Sequence, residues 1–139
     1  MTDVLKKFKS IFEGLDIARG ETRKTGEVSG KGKSITKSKT ISEPPTDKMW
    51  EDHLKGTDPA LGIIPIRRDN NCIWGCIDWD VYPLDHKQIV QDLKKKKIPL
   101  TVFRSKSGGA HLFLFTKEPV PAVMMRDKLK TYAAAIGHA

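Results

Sequence analysis

The stretch CIWGCIDWD at residues 72–80 decides the fold, because it has the pattern of a buried β-strand that ends in two carboxylates. Successive side chains of a strand point to opposite faces of a sheet. The pattern therefore predicts one face with Cys72, Trp74, Cys76, Asp78 and Asp80. The other face would carry the apolar set that packs under helices, namely Ile73, Gly75, Ile77 and Trp79.

The D-x-D pair at the end of this strand is a candidate metal site. Alternate residues of a strand have Cα atoms about 6.6 Å apart, so Asp78 and Asp80 can converge on one or two divalent cations. Mg²⁺ and Mn²⁺ take oxygen ligands, whereas zinc favours nitrogen or sulfur. An isolated D-x-D pair is more often a strand end at a turn. Repulsion between two close carboxylates nevertheless favours a bound cation.

A second stretch, RSKSGGAHLF at residues 104–113, is a basic, glycine-rich turn that leads into a strand. Ser107, Gly108 and Gly109 permit a backbone whose N–H groups point at an anion. Arg104 and Lys106 add positive charge, and His111 can donate a hydrogen bond to a phosphate oxygen. The simpler interpretation is a hairpin tip that needs glycines. The stretch is not a Walker phosphate loop, because no G-x-x-x-x-G-K-[ST] pattern is present.

Local patterns along the rest of the chain predict an α+β fold in which helices and a β-sheet form layers. The predicted divisions are an N-terminal helical segment at 1–17, a flexible basic linker at 18–45 and a compact domain at 46–139. Within that domain the predicted order is α-β-β-α-β-β-α. Its first helix is capped by Thr46 or Asp47, and its second by Asp85, with Gln88 reaching back in a capping-box arrangement. The predicted strands cover residues 61–66, 72–80, 100–103 and 110–115.

Composition limits the classes of partner and compartment. The chain has 139 residues and a net charge of +8, which suits a polyanionic partner or a solvated lysine-rich surface. Cys72 and Cys76 would lie about 13 Å apart on a straight strand, too far for a disulfide. We expect them to be packing thiols in a reducing compartment. No apolar run is long enough to span a membrane, so we expect a soluble, cytoplasmic protein without a membrane partner.

Taken together, these stretches resemble the archaeo-eukaryotic primase superfamily, and most closely the primase domain of TOTE conflict systems and related phage primase-polymerases. The resemblance rests on LGIIPI at 61–66, WGCIDWD at 74–80, LDH at 84–86 and RSKSGGAHLF at 104–113. It implies that residues 46–139 are a partial primase-polymerase catalytic domain with helices packed on one face of an RRM-like antiparallel or mixed sheet. It also implies template-directed nucleotidyl transfer in which Asp78 and Asp80 hold Mg²⁺ or Mn²⁺. The family's small-x-His motif matches Gly109-Ala110-His111 and implies contact with the triphosphate. The resemblance implies nucleoside triphosphates and a single-stranded DNA template as partners, with helicase or nuclease domains in a longer protein.

The chain departs from the family pattern at its third motif, which brings another acidic residue on a later strand. Neither Glu118 nor Asp127 has a matching context. We therefore expect the sequence to be an N-terminal part of a longer primase or a truncated gene product, with catalysis in doubt. We also expect apolar surface to be exposed around Trp74, Phe113 and Phe115, and the chain to self-associate.

Two other functions stay open. The chain could be a non-catalytic RRM-like module that binds single strands through its lysine-rich arm and its aromatic residues. The run GGAHLFLF has a faint likeness to the aromatic strand of such modules, although protein can equally cover Phe113 and Phe115. The D-x-D pair also suits a metal-dependent nuclease, but hydrolysis needs no triphosphate pocket.

Overall fold

The computed structural model describes residues 2–30, 32 and 34–138, and the chain divides into two compact units, Met1–Asn70 and Asn71–Ala139. Helices and antiparallel strands occur in both units, which confirms the predicted α+β class. The first unit contains α1 (Asp3–Ile11), β1 (Arg19–Val28), β2 (Ser34–Ile41), α2 (Asp47–Leu54) and β3 (Ala60–Gly62). The second contains β4 (Asn71–Trp79), α3 (His86–Lys95), β5 (Thr101–Arg104), β6 (Ala110–Pro121) and α4 (Ala122–Ala135).

The first unit combines a three-stranded sheet of order β2-β1-β3 with α1 and α2. Both helices begin at threonine caps, since Thr2 Oγ1 accepts from Leu5 N–H and Thr46 Oγ1 accepts from Met49 N–H. The aromatic ring of Phe8 on α1 meets the ring of Trp50 on α2 edge to face, with 5.8 Å between ring centroids. Trp50 is buried, so this contact anchors the two helices to each other.

Residues 18–45 are not the flexible basic linker that composition predicts. Most of them form the antiparallel hairpin of β1 and β2, in which Arg19 pairs with Ile41 and Arg23 with Lys37. Threonine and isoleucine recur along β2, and these β-branched side chains favour extended backbone even where no core covers them. The ladder of backbone hydrogen bonds, rather than apolar burial, therefore orders this segment.

The second unit is an antiparallel sheet of order β4-β6-β5 with its core between the sheet and two helices. Leu112 is completely buried, and Ile77, Leu114, Ile89 and Leu93 surround it in the same cluster. Gly75 lies under α4, where a Cβ atom would come within 2.7 Å of Leu129 and 2.8 Å of Met125. The strand pattern of residues 72–80 thus predicted β4 and its helix-facing side well.

Cys72 is an exception to the predicted faces. The register of β4 against β6 shifts between Cys72 and Trp74, and this irregularity rotates Cys72 to the helix side. Cys72 accordingly lies in the buried cluster with Ile77 rather than beside Trp74. Both cysteines carry free thiols, in agreement with the prediction that they do not form a disulfide.

Several local predictions need correction. Trp74 is only 8% exposed and Phe113 and Phe115 are half-buried, so the expected exposed apolar patch is wrong at Trp74. Asp85 caps α3 as predicted, but the Gln88 side chain donates to Asp92 instead of reaching back. The strand predicted at 61–66 is shorter, at Ala60–Gly62, whereas β6 continues to Pro121. No helix among the described residues is long and apolar enough to cross a membrane.

Candidate functional site

The two motifs lie on neighbouring strands of the second unit. In the antiparallel pair of β4 and β6, Asp78 stands opposite His111 and Trp79 stands opposite Ala110. The side chains of Asp78 and His111 are 63% and 43% exposed, so both are open to a ligand. His111 Nε2 lies 3.6 Å from Asp78 Oδ1, beyond ordinary hydrogen-bond length. The sheet therefore brings one carboxylate of the D-x-D pair beside the imidazole.

The glycine-rich turn closes the hairpin between β5 and β6. Ser105 N–H donates to Gly109 O at 3.0 Å, and Gly108 N–H donates to Ser105 O at 3.1 Å. Gly108 has a φ of +88°, the left-handed conformation that closes a three-residue hairpin loop. Because its N–H is used inside the turn, Gly108 shapes the turn rather than supplying a hydrogen bond to an anion.

Gly109 brings the turn against the D-x-D motif. A Cβ atom at this position would lie 2.7 Å from Trp79 O, 2.8 Å from Asp80 Oδ1 and 3.2 Å from Ser105 Oγ. Real side chains do not tolerate the two shorter distances, so only glycine allows this close approach. The second carboxylate therefore packs against the turn that precedes His111.

Tyr82 links the same two elements from the surface. Its hydroxyl donates to Asp80 Oδ1 at 3.1 Å and lies 2.6 Å from Ser107 Oγ, which is in turn 3.2 Å from Ser105 Oγ. These hydroxyls form a short chain of hydrogen bonds from the turn to the carboxylate. Nothing in the sequence pattern assigned this role to Tyr82, although its position two residues after Asp80 makes such a contact feasible.

Two further histidine side chains form hydrogen bonds with backbone carbonyl groups of the site. His86, the first residue of α3, donates from Nε2 to Gly109 O at 2.8 Å. His138 donates from Nε2 to Asp78 O at 2.9 Å, and its ring stacks on Trp79 with 5.1 Å between centroids. Gly137 ends α4 with a φ of +81° and turns the chain back towards β4. The contact of His138 spans 60 positions of sequence, so no local signal could have revealed it.

The remaining predicted phosphate contacts are placed less favourably. Arg104 pairs with Ala110, and these two residues share one face of the sheet. Phe103 pairs with His111, and both lie on the other face. Arg104 therefore lies on the face of the buried residues rather than on that of His111. Lys106 is exposed at the tip of the turn, next to Ser107. Lys106 is thus the cation of the turn best placed to meet an anion from solvent.

Cys76 lies two residues before Asp78 on β4, in the half-buried part of the strand. Burial, together with the nearby charge of Asp78, raises the pKa of the Cys76 thiol to about 11. Burial also raises the pKa of the Cys72 thiol. Because metal ligation and nucleophilic attack need the thiolate, neither cysteine is suited to either role at neutral pH.

The carboxylate oxygens of this site suit a hard cation that is bound by few protein ligands. Among the described residues, no group of three His, Cys, Asp or Glu side chains could hold a metal ion. Zinc needs about four such ligands, whereas Mg²⁺ is commonly bound by one or two carboxylates with water and substrate phosphates. Asp78 and Asp80 fit the second case. Of the later acids, Asp127 accepts hydrogen bonds from Arg126 on α4, and Glu118 is exposed on β6.

A comparison of the sequence with protein-family models finds a match that covers most of the chain. The family model described as the TOTE conflict system, Archaeo-Eukaryotic Primase domain, matches residues 18–136. The matched region contains the β1–β2 hairpin, the D-x-D motif and the glycine turn. No curated protein gave a significant match.

Proposed function

The chain belongs to the archaeo-eukaryotic primase domain family of TOTE conflict systems, and we propose that its second unit binds a nucleoside triphosphate together with Mg²⁺ or Mn²⁺. The observation that carries the proposal is the pairing of Asp78 with His111 across β4 and β6. It puts a carboxylate and an imidazole side by side at the solvent-open end of two strands, which supports the proposal.

The proposed roles follow from the chemistry of each side chain. Asp78 and Asp80 would hold the cation, which offsets phosphate charge and stabilises the attacking and leaving oxygens when it is bound. His111 would donate to a phosphate oxygen, and Lys106 would add positive charge at the mouth of the site. Gly109 would let the turn approach Asp80 closely, as the short distances at Gly109 require, and Gly108 would shape the turn through its positive φ.

The reaction class is nucleotidyl transfer. A 3′-hydroxyl would attack the α-phosphorus of the bound triphosphate, and pyrophosphate would leave. Such chemistry depends on positioning and on stabilisation of charge rather than on a protein nucleophile. This requirement agrees with a site that has carboxylates, an imidazole and a basic turn, and whose nearby thiol has a raised pKa.

The direct test is a titration of the wild-type chain with a labelled deoxynucleoside triphosphate in the presence of Mn²⁺. We expect binding that chelator abolishes and that His111→Ala weakens at least about tenfold, as loss of a charge-assisted hydrogen bond predicts. Lys117→Ala is the matched control, because Lys117 is exposed on the same strand. Binding that is insensitive to both chelator and His111→Ala would refute the proposal.

A second candidate is a single-stranded nucleic-acid-binding module without catalysis. It is favoured by the aromatic side chains that share the face of His111, since Phe103 is 40% exposed and its ring meets that of Phe113 at 5.0 Å. Bases stack on such rings. Asp78→Asn separates the two candidates, because it would abolish metal-dependent nucleotide binding but leave stacking unchanged or improved. Phe103→Ala would then weaken binding of single strands without metal.

A further inference from the structure

We propose that the β1–β2 hairpin of the first unit binds the phosphate backbone of nucleic acid. This inference concerns a surface outside the D-x-D motif and the glycine turn. The proposal extends the proposed function, since a primase must bind its template. The residues that support it all lie in the first unit.

The hairpin is an uncovered ribbon. From Arg23 to Val28 every residue of β1 is exposed, and so is every residue of β2 from Ser34 to Thr40. Since successive side chains alternate between the two faces, both faces of this part of the hairpin are open to solvent. A two-stranded antiparallel ribbon of this kind has dimensions that fit the major groove of B-form DNA.

The charge of the ribbon is strongly positive. Its described residues include four cations, Arg23, Lys24, Lys37 and Lys39, and one acid, Glu27. The sequence adds Lys31 and Lys33 between the strands, outside the described residues. A large part of the net charge of +8 is thus concentrated in one short segment.

The pairing of the two strands brings like charges close together. Arg23 stands directly opposite Lys37, and like charges in that position are unfavourable unless an anion offsets them. Glu21 offsets part of the charge, because it accepts hydrogen bonds from Arg23 and lies 3.7 Å from Lys39. Lys37 lies beyond Glu21 towards the tip of the hairpin. A bound polyanion would supply the missing negative charge there.

Uncharged side chains of the ribbon also suit a phosphate partner. Thr22 and Ser38 share a hydrogen bond between hydroxyls at 2.8 Å, so one of the two keeps its hydrogen for a phosphate oxygen, whereas Thr25 donates its hydrogen to Ile35 O. Hydroxyls and lysines are the groups that most often contact phosphates, and such contacts carry no base specificity. We therefore expect binding that depends on salt rather than on sequence.

The experiment measures binding of labelled single-stranded DNA, and of the corresponding duplex, by fluorescence anisotropy in chelator and without nucleotide. The test variant combines Lys24→Gln, Lys37→Gln and Lys39→Gln, which keeps the ion pair of Arg23 with Glu21. The control variant combines Lys87→Gln, Lys94→Gln and Lys95→Gln, which removes the same charge from exposed positions of α3. Comparing the two nucleic acids shows which form the ribbon prefers.

We expect the test variant to bind at least about tenfold more weakly at low salt, and its log–log salt dependence to fall by about 2 for single strands. The control variant should stay within about threefold of wild type. Glu27→Lys should tighten binding several-fold, a gain that misfolding cannot produce. Because this assay contains chelator and no nucleotide, it does not depend on the metal site, so failure of the metal site and failure of the ribbon give different results.

Three outcomes would overturn the proposal. Equal weakening in the test and control variants would show that only total charge matters. Unchanged DNA binding with new self-association would show that the β2 lysines merely protect an exposed sheet edge from pairing. Binding to anionic phospholipid vesicles, but not to DNA, that the test variant loses would identify a membrane surface as the partner.

Discussion

Asp78 stands directly across the antiparallel pair from His111, with 3.6 Å between Asp78 Oδ1 and His111 Nε2. The core sets this alignment, because the neighbouring pair of Ile77 and Leu112 points to the buried side of the same strands. A slip of one residue would expose those apolar side chains and bury the polar ones. The register that positions the proposed site is therefore stabilised by packing beneath it.

Leu112→Ala should destabilise the second unit. Leu112 is completely buried, and truncation of such a side chain leaves a cavity, at a cost of about 2–5 kcal/mol. Val123→Ala, at an exposed position of α4, should change the free energy of unfolding by no more than about 0.5 kcal/mol. Urea denaturation measures both. A loss below about 1 kcal/mol for Leu112→Ala would show that this core does not hold the register.

Gly109→Ala should disrupt the proposed site without unfolding the chain. The new methyl group would collide with Trp79 O and Asp80 Oδ1, so the carboxylate or the turn must move. We expect Mn²⁺-dependent nucleotide binding to fall at least about tenfold, in line with the cost of misplacing a positioned group.

Gly108→Asn is the matched control for that substitution. Gly108 has open space around its Cβ position, and asparagine tolerates its positive φ better than other residues do. Nucleotide binding should stay within about threefold of wild type. Equal losses at Gly108 and Gly109 would argue that turn flexibility, rather than the close approach to Asp80, limits binding.

Tyr82→Phe should leave the Asp80 side chain less firmly positioned and weaken metal binding a few-fold. The variant deletes the hydroxyl that bridges Asp80 and Ser107, and a hydrogen bond to a charged group contributes about 1.5–3 kcal/mol at most. Because Tyr82 is 51% exposed, the loss should fall below this range, which limits it to a few-fold, and thermal stability should hardly change. Tyr132→Phe on α4 is the control. Unaltered Mn²⁺ affinity in Tyr82→Phe would remove Tyr82 from the site.

Cys76 should resist alkylation at the pH where ordinary thiols react. Burial and the charge of Asp78 raise its pKa to about 11, so the reactive thiolate is scarce below that value. The alkylation rate should rise about tenfold per pH unit between pH 8 and 10. Peptide mass spectrometry distinguishes Cys76 from Cys72 during this measurement.

Asp78→Asn should accelerate that alkylation, because removal of the neighbouring negative charge lowers the pKa of Cys76. Glu118→Gln, which removes an exposed acid farther along β6, should leave the rate unchanged. An equal rate in Asp78→Asn and wild type would mean that burial alone sets the pKa.

Local signals account for what the sequence could predict. The alternation at residues 72–80 predicted β4, and the side chains of Thr46 and Asp85 predicted the starts of α2 and α3, because caps and strand faces depend on near neighbours. The resemblance of both motifs to the primase family likewise rests on short stretches of sequence, and the family model extends it to residues 18–136.

Pairing between distant segments accounts for the features that the sequence could not predict. The β1–β2 hairpin is held by a backbone ladder, which composition does not reveal, and the shift that buries Cys72 arises only when β4 meets β6. His138 reaches Asp78 O only because α4 ends at Gly137 and the chain turns back. Each of these features depends on two segments meeting, so no single segment contains the signal.

The most direct test of the account is a Mn²⁺ titration followed by electron paramagnetic resonance, which reports the concentration of free Mn²⁺. The measurement compares wild type with a variant that combines Asp78→Asn and Asp80→Asn, with and without a deoxynucleoside triphosphate, and includes a protein-free nucleotide control. The account predicts that wild type binds Mn²⁺, that nucleotide strengthens this binding beyond the control, and that the variant loses both effects. Equal Mn²⁺ binding by wild type and variant would contradict the assignment of the D-x-D pair as the metal site.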